Sequence, residues 1–250
     1  MTTYDFSGQT ALVTGGTSGI GRQVALQLGA AGAHVVVTGR DAERGASTVD
    51  AIRVAGGVAD FVAVDLADAA AVAHLAEEAV RLGGGHVDVL VNNAGVFPFG
   101  PTVGVDLTTF DAVMAVNVRA PFALVAALAP AMVERGHGAI VNVSTMVASF
   151  GMSGMSLYGS SKAALQLLTK AWAAEFGSSG VRVNAVSPGP TRTEGTEVMG
   201  DGLDALAATT PAGRVSTAVE VASGIVFLAS AAASNVHGAI LPVDGGRLAV

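Results

Sequence analysis

Tyr158 and Lys162 stand four residues apart in Tyr158-Gly159-Ser160-Ser161-Lys162. On a helix that spacing puts both side chains on one face. A tyrosine with its ordinary pKa of about 10 is a poor acid–base group near neutrality, and moving it by about three units takes roughly 4 kcal/mol. A neighbouring ammonium favours the phenolate, so the pair has the chemistry of a tuned proton donor and acceptor. Two hydroxyls precede it: Ser144 and Thr145 lie fourteen and thirteen residues before the tyrosine. Adjacent side chains at an extended strand end point to opposite faces, so only one of them can share a substrate oxygen with Tyr158.

A second stretch suits an anion. The strand-like run 10–14 leads straight into Gly15-Gly16-Thr17-Ser18-Gly19-Ile20-Gly21 and then a helical pattern. Missing side chains at Gly15 and Gly19 allow a tight turn and close approach of backbone N–H groups to a pyrophosphate, and Gly21 allows close helix packing. The helix amino end adds donors and partial positive charge. The spacing is GxxxGxG, which fails the general GxGxxG fingerprint, so position after the first strand carries the reading. The second strand ends in Gly39-Arg40, where an acidic residue would select NAD through the ribose 2′-OH. Arg40 instead suits a 2′-phosphate, favouring NADP(H), with NAD(H) still possible. Asp65, followed by Leu66, closes the third strand, placed to accept from an adenine amino group.

These groups need a frame, and the chain supplies one. Short β-branched runs at 10–14, 34–38, 60–64, 87–92, 138–144, 182–187 and 239–243 alternate with Ala-rich helical patterns at 21–31, 69–82, 107–134, 157–178 and 217–230. That alternation predicts an α/β fold: a single-domain, Rossmann-like, doubly wound parallel sheet of about seven strands with helices on both faces, spanning 1–250. Residues 195–211 have the weakest pattern and fall where a substrate cover would sit.

Composition narrows the chemistry. Among 250 residues, 51% are hydrophobic and the net charge is −7, with no run of lysine or arginine, so nucleic acid is not an expected partner. With no cysteine, thiol nucleophiles and Cys-ligated metals are excluded, and His34, His74, His86, His137 and His237 are scattered without metal-ligand spacing. No metal site is expected. The start, MTTYDFSGQTALV, lacks the basic-then-apolar order of a leader, and the apolar stretch 120–133 is too short to span a bilayer. A cytoplasmic protein without membrane partners is the expectation.

Taken together, the motifs resemble the short-chain dehydrogenase/reductase family over nearly the whole chain. Thr14 to Gly21 is similar to its TGxxxGIG loop, Asn92-Asn93-Ala94-Gly95 to its NNAG turn, and Tyr158 to Lys162 to its YxxxK. Asn117 matches its helix asparagine, Pro188-Gly189-Pro190-Thr191-Arg192-Thr193 its PG segment, and GAILPVDGG its C-terminal strand and turn. The resemblance implies hydride transfer between a nicotinamide and a carbonyl or alcohol carbon, with Tyr158 exchanging the proton. It implies that Lys162 lowers the tyrosine pKa and binds the nicotinamide ribose, that Asn117 supports a water-linked relay to the lysine, and that the protein is a homotetramer. The family's substrate-holding serine falls thirteen residues before the tyrosine, where this chain has Thr145, so spacing favours Thr145 over Ser144. The expected substrate lining, 97–101, 145–157 and 195–210, carries Phe97, Phe99, Met146, Phe150, Met152, Met155 and Met199 and suits a neutral, fairly apolar small molecule. An NAD-dependent dehydrogenase of the same family and a non-catalytic dinucleotide-binding regulator are the alternatives.

Overall fold

The computed structural model describes residues 4–250, so Met1 to Thr3, the first part of the stretch read as lacking a leader, lie outside the described residues. Nine strands form among the described residues: β1 Thr10–Thr14, β2 His34–Gly39, β3 Val58–Ala63, β4 Val89–Asn92, β5 Gly138–Val143, β6 Val181–Pro188, β7 Thr191–Arg192, β8 Ser216–Thr217 and β9 Ile240–Val243. Seven of them make one parallel sheet in the order β3-β2-β1-β4-β5-β6-β9, and β7 pairs with β8 separately. The helices are α1 Gly19–Ala30, α2 Ala42–Val54, α3 Ala69–Leu82, α4 Leu107–Met114, α5 Ala120–Arg135, α6 Ser156–Phe176, α7 Asp201–Ala207 and α8 Ala218–Ala229.

The two-residue period of the strands divides the core. Ala11, Val13, Val35, Val37, Val89 and Val91 face a cluster with α1, α2 and α8, while Leu12, Val36 and Leu90 face a second with α3, α5 and α6. Near-continuous apolar strands are what a sheet covered on both faces requires. Strand order reverses between β1 and β4, and at such a switch point the loops leaving the carboxyl ends open a crevice.

Three elements differ from expectation. Helix α2 falls in a polar segment that shows no apolar periodicity. It is held by the Asp41 cap on the Arg44 N–H and by Gly45, where a Cβ would lie 2.3 Å from the Phe61 ring. The run 107–134 is not one uniform helix, because a π turn, Ala115–Arg119, separates α4 from α5. Leu107–Arg135 is nonetheless continuous over 29 residues and apolar enough, by length and composition, to cross a membrane, unlike the shorter stretch expected. Leu124, Val125, Leu128 and Met132 are buried against the sheet, so this is a core helix of the domain. The 195–211 segment is ordered as a short 3-10 turn, Glu194–Met199, and α7, whose Leu203 and Ala207 are buried.

Candidate active site

At the carboxyl edge of β1 the chain turns through Gly15 at φ +63° and Gly19 at φ +50°, conformations that glycine adopts without strain. Gly21 has no room for a side chain. A Cβ there would lie 2.3 Å from the Gly15 carbonyl oxygen and 2.3 Å from Asn93 Nδ2. The close packing is therefore against the loop and Asn93 rather than the strand. The same asparagine donates from Nδ2 to the Thr14 carbonyl at 2.8 Å, and the Thr14 hydroxyl accepts from the Asn93 and Ala94 N–H groups. The turn after β4 is thereby fastened to the loop after β1.

A cavity of about 310 Å³ lies over this junction, lined by Gly15, Thr17, Ser18, Gly19, Ile20, Arg40, Asp65, Leu66, Asn93, Ala94, Gly95 and Thr193. Ser18 caps α1 without a side-chain hydrogen bond, leaving the helix amino end to other acceptors. Arg40 is exposed and forms no ion pair among the described residues, whereas Arg44 is held by Asp41 at 2.7 Å. Asp65 accepts from the Ala67 N–H at 2.9 Å, and the α3 cap is Asp68. The cradle fits a dinucleotide: glycines where side chains would intrude, free helix donors, and a carboxylate, Glu194 Oε2, hydrogen-bonded to the Gly19 N–H at 2.9 Å where an anionic oxygen is suited. Glu194 was not among the expected site residues, since it lies 175 positions from its partner.

A second cavity of about 250 Å³ adjoins the first, sharing Ile20, Asn93, Gly95, Phe97 and Thr193. Its walls include Ser144, Thr145, Met146, Met152, Met155, Tyr158, Lys162, Pro188, Gly189, Thr191, Met199 and Leu203. Phe99 belongs to it, but Phe150 does not: the Arg247 guanidinium stacks over its ring at 5.1 Å. The Phe97 ring stands 6.1 Å from that of Tyr158.

The two candidate hydroxyls part company after β5. Ser144 accepts from Gln166 Nε2 at 2.9 Å and donates to the Lys162 carbonyl at 3.4 Å, so its hydroxyl is directed onto α6. Thr145 instead lines the second cavity beside Tyr158, its hydroxyl accepting from the Val147 N–H at 3.4 Å. Lys162 is buried and donates from Nζ to the Val143 carbonyl at 2.8 Å. Asn117, inside the π turn, accepts from the Val96 N–H at 2.9 Å and donates to the Val96 carbonyl and Ser161 Oγ. A methyl at Gly95 would meet Lys162 Nζ at 3.2 Å and Asn117 Oδ1 at 3.3 Å, so these groups converge on one backbone atom. Gln166 and Ser161 are supports that no motif marked, because their partners Ser144 and Asn117 are distant in sequence.

Burial dominates both titrating groups. It pushes the Tyr158 phenol up to about 12, with the neighbouring Thr145 hydroxyl pulling the other way, and brings the Lys162 ammonium down to about 8. The expected lowering of the tyrosine by lysine is thus not what the free protein displays. Burial raises the phenol instead, and its neutral form is the resting one.

The sheet, its switch point and the paired cavities define a Rossmann-like dinucleotide-binding domain with an adjoining apolar cavity. Residues 15–247 match the family described as enoyl-(acyl carrier protein) reductase. The chain is 36% identical over 241 residues to 2,5-dichloro-2,5-cyclohexadiene-1,4-diol dehydrogenase of Sphingobium indicum, covering 96% of each. It is 50% identical to a solved short-chain dehydrogenase/reductase family protein, with a TM-score of 0.92 over 98% of this chain and 100% of that one. A structure from Beutenbergia cavernae, assigned as an NAD(P)-dependent gluconate 5-dehydrogenase with NADP at low occupancy, is 41% identical with a TM-score of 0.94, covering 99% of this chain and 100% of that one. The chain belongs to the short-chain dehydrogenase/reductase family, as an NAD(P)-dependent enzyme acting on CH–OH and C=O groups.

Proposed function

We propose that this protein transfers a hydride between NADP(H) and a neutral, fairly apolar ketone or secondary alcohol, with Tyr158 as proton donor and acceptor. The bound nicotinamide would supply or take up the hydride. In the reducing direction the carbonyl carbon gains the hydride and its oxygen takes the Tyr158 proton, giving the alcohol. Thr145 holds that oxygen, and Lys162 stabilises the phenolate left behind. Asn117 positions the lysine side of the site through the Val96 backbone and Ser161.

The observation that carries the proposal is the placement of Thr145, Tyr158 and Lys162 together in the wall of an apolar cavity that adjoins the dinucleotide cradle. Apart from Lys162, no charged side chain lines that cavity, which favours an uncharged substrate over a sugar acid. Unpaired Arg40 beside Gly39 supports NADP(H). An acidic residue at position 39 would also meet Thr17, whose Cγ2 lies 2.7 Å from an added Cβ. Residues 195–211 act as the substrate cover within one domain spanning 1–250. The protein works in the cytoplasm as a homotetramer.

Oxidation of NADPH and of NADH over a panel of neutral ketones and keto acids tests this in one assay. NADPH with apolar ketones is expected to be preferred, and Arg40→Ala to reduce that cofactor preference. Thr145→Ser should retain activity, Thr145→Ala should lose about a hundredfold or more, and Ser144→Ala should be mild. A crippling Ser144→Ala beside an active Thr145→Ala would reverse the hydroxyl assignment. Dinucleotide binding without turnover across the panel would instead favour a non-catalytic regulator.

A further inference from the structure

The backbone N–H of Gly19, at the start of α1, donates to Glu194 Oε2 at 2.9 Å. Among the described residues the Glu194 side chain makes no other hydrogen bond or ion pair. Its neighbour Thr193 lines both cavities and sits tight on the loop, its Cβ 3.1 Å from where a methyl at Gly19 would be. A carboxylate at a helix amino end is stabilised by the donors and partial positive charge there. Those are the features that make the same end a pyrophosphate site. One N–H cannot serve both at hydrogen-bonding distance, and two anionic oxygens in contact repel.

We propose that Glu194 is a latch: in the free protein it occupies the Gly19 donor, and a dinucleotide binds by displacing it. This rests on the cofactor reading above. The latch also belongs to the substrate cover. Glu194 opens the turn Glu194–Met199, which runs on to α7, and Thr196, Met199, Leu203 and Leu206 wall the apolar cavity. The segment is pinned on its other side by Arg192 on Asp204 at 2.7 Å and by the Thr196 hydroxyl on the Thr191 carbonyl at 2.8 Å. Releasing Glu194 therefore repositions the start of a tethered cover, and cofactor binding completes the substrate cavity.

Equilibrium titration of the full-length protein with NADPH, followed by the fluorescence of the reduced nicotinamide, reads affinity without turnover. Glu194→Gln keeps the shape and loses the charge, and Glu194→Ala removes both. Each is expected to tighten NADPH binding about three- to tenfold, roughly 0.7–1.4 kcal/mol. Glu197→Gln, on the same turn with no side-chain hydrogen bond or ion pair to the loop among the described residues, is expected to leave affinity unchanged. The Gly19 amide should exchange hydrogen faster in cofactor-free Glu194→Ala than in wild type. Unchanged or weaker NADPH binding in both Glu194 variants would overturn the latch, as would an equal gain in Glu197→Gln, which assigns the effect to net charge. If the wild type binds neither NADPH nor NADH, the cofactor reading falls first and the latch with it.

Discussion

Lys162 carries the largest electrostatic tension in the site. Its ammonium is buried with one backbone acceptor, Val143, and its pKa falls from 10.5 to about 8. Keeping it charged in the folded state at neutral pH costs about 3 kcal/mol. The folded pKa lies below the unfolded one, so this contribution to stability is complete above pH 10.5, is lost as pH falls towards 8, and is flat below. Tyr158 has the opposite sign: its folded pKa is raised from 10.0 to about 12, so its contribution is full below pH 10 and is lost as pH rises to 12. Between pH 8 and 10 the wild type is therefore expected to gain stability in urea unfolding, and Lys162→Met to lack that slope. The chain has only two lysines, two tyrosines and no cysteine, so few other groups titrate in the window. Reductive kcat/KM should fall above about pH 8, where the free enzyme loses the ammonium. A wild-type slope that survives in Lys162→Met would place the titration elsewhere.

Seven parallel strands and the loops leaving them were legible in the sequence because strands buried on both faces are apolar throughout, and the glycine loop follows the first of them. Helix α2 was not, because its burial depends on Gly45 meeting Phe61, a contact between elements with no local pattern. The π turn around Asn117 was hidden for a related reason. An extra residue per turn leaves apolar content unchanged and shows only in the backbone. Tyr158, Lys162 and the hydroxyl pair were marked by their spacing together with the glycine loop and the family resemblance, whereas Glu194 on Gly19 and Gln166 on Ser144 are set by the fold. Glycines in helices sharpen this difference between pattern and packing. In α1, Gly21→Ala would drive a methyl to 2.3 Å from the Gly15 carbonyl oxygen, whereas in α7 nothing lies within 4 Å of a methyl at Gly202. Gly21→Ala is expected to destabilise by about 1–3 kcal/mol and to weaken dinucleotide binding. Gly202→Ala should stabilise by up to about 1 kcal/mol. Thermal unfolding and NADPH titration of both variants check this; equal effects would mean that helix propensity, rather than the loop contact, governs Gly21.

At the scale of the whole molecule, some large apolar side chains stay exposed on the helices that cover the sheet. Helices α5 and α6 cover the same face of the sheet, yet Phe122 on α5 is 52% exposed and Leu167 on α6 is 69% exposed. The Phe122 ring lies 6.0 Å from Trp172, extending the apolar surface between the two helices. Large aliphatic and aromatic side chains in water cost the free chain the hydrophobic stabilisation that burial would return, about 25 cal/mol per Å². A second copy packing on these helices would recover it, as the proposed homotetramer requires. Both cavities open at the carboxyl edge of the sheet, and neither includes Phe122 or Leu167, so assembly through α5 and α6 leaves the cofactor cradle intact. Light scattering of the wild type is expected to give four chains per particle. The double substitution Phe122→Glu and Leu167→Glu should give smaller particles that still bind NADPH. A monomeric wild type at micromolar concentration would refute the assembly, and loss of NADPH binding in a folded variant would show that the helix face and the cradle are coupled.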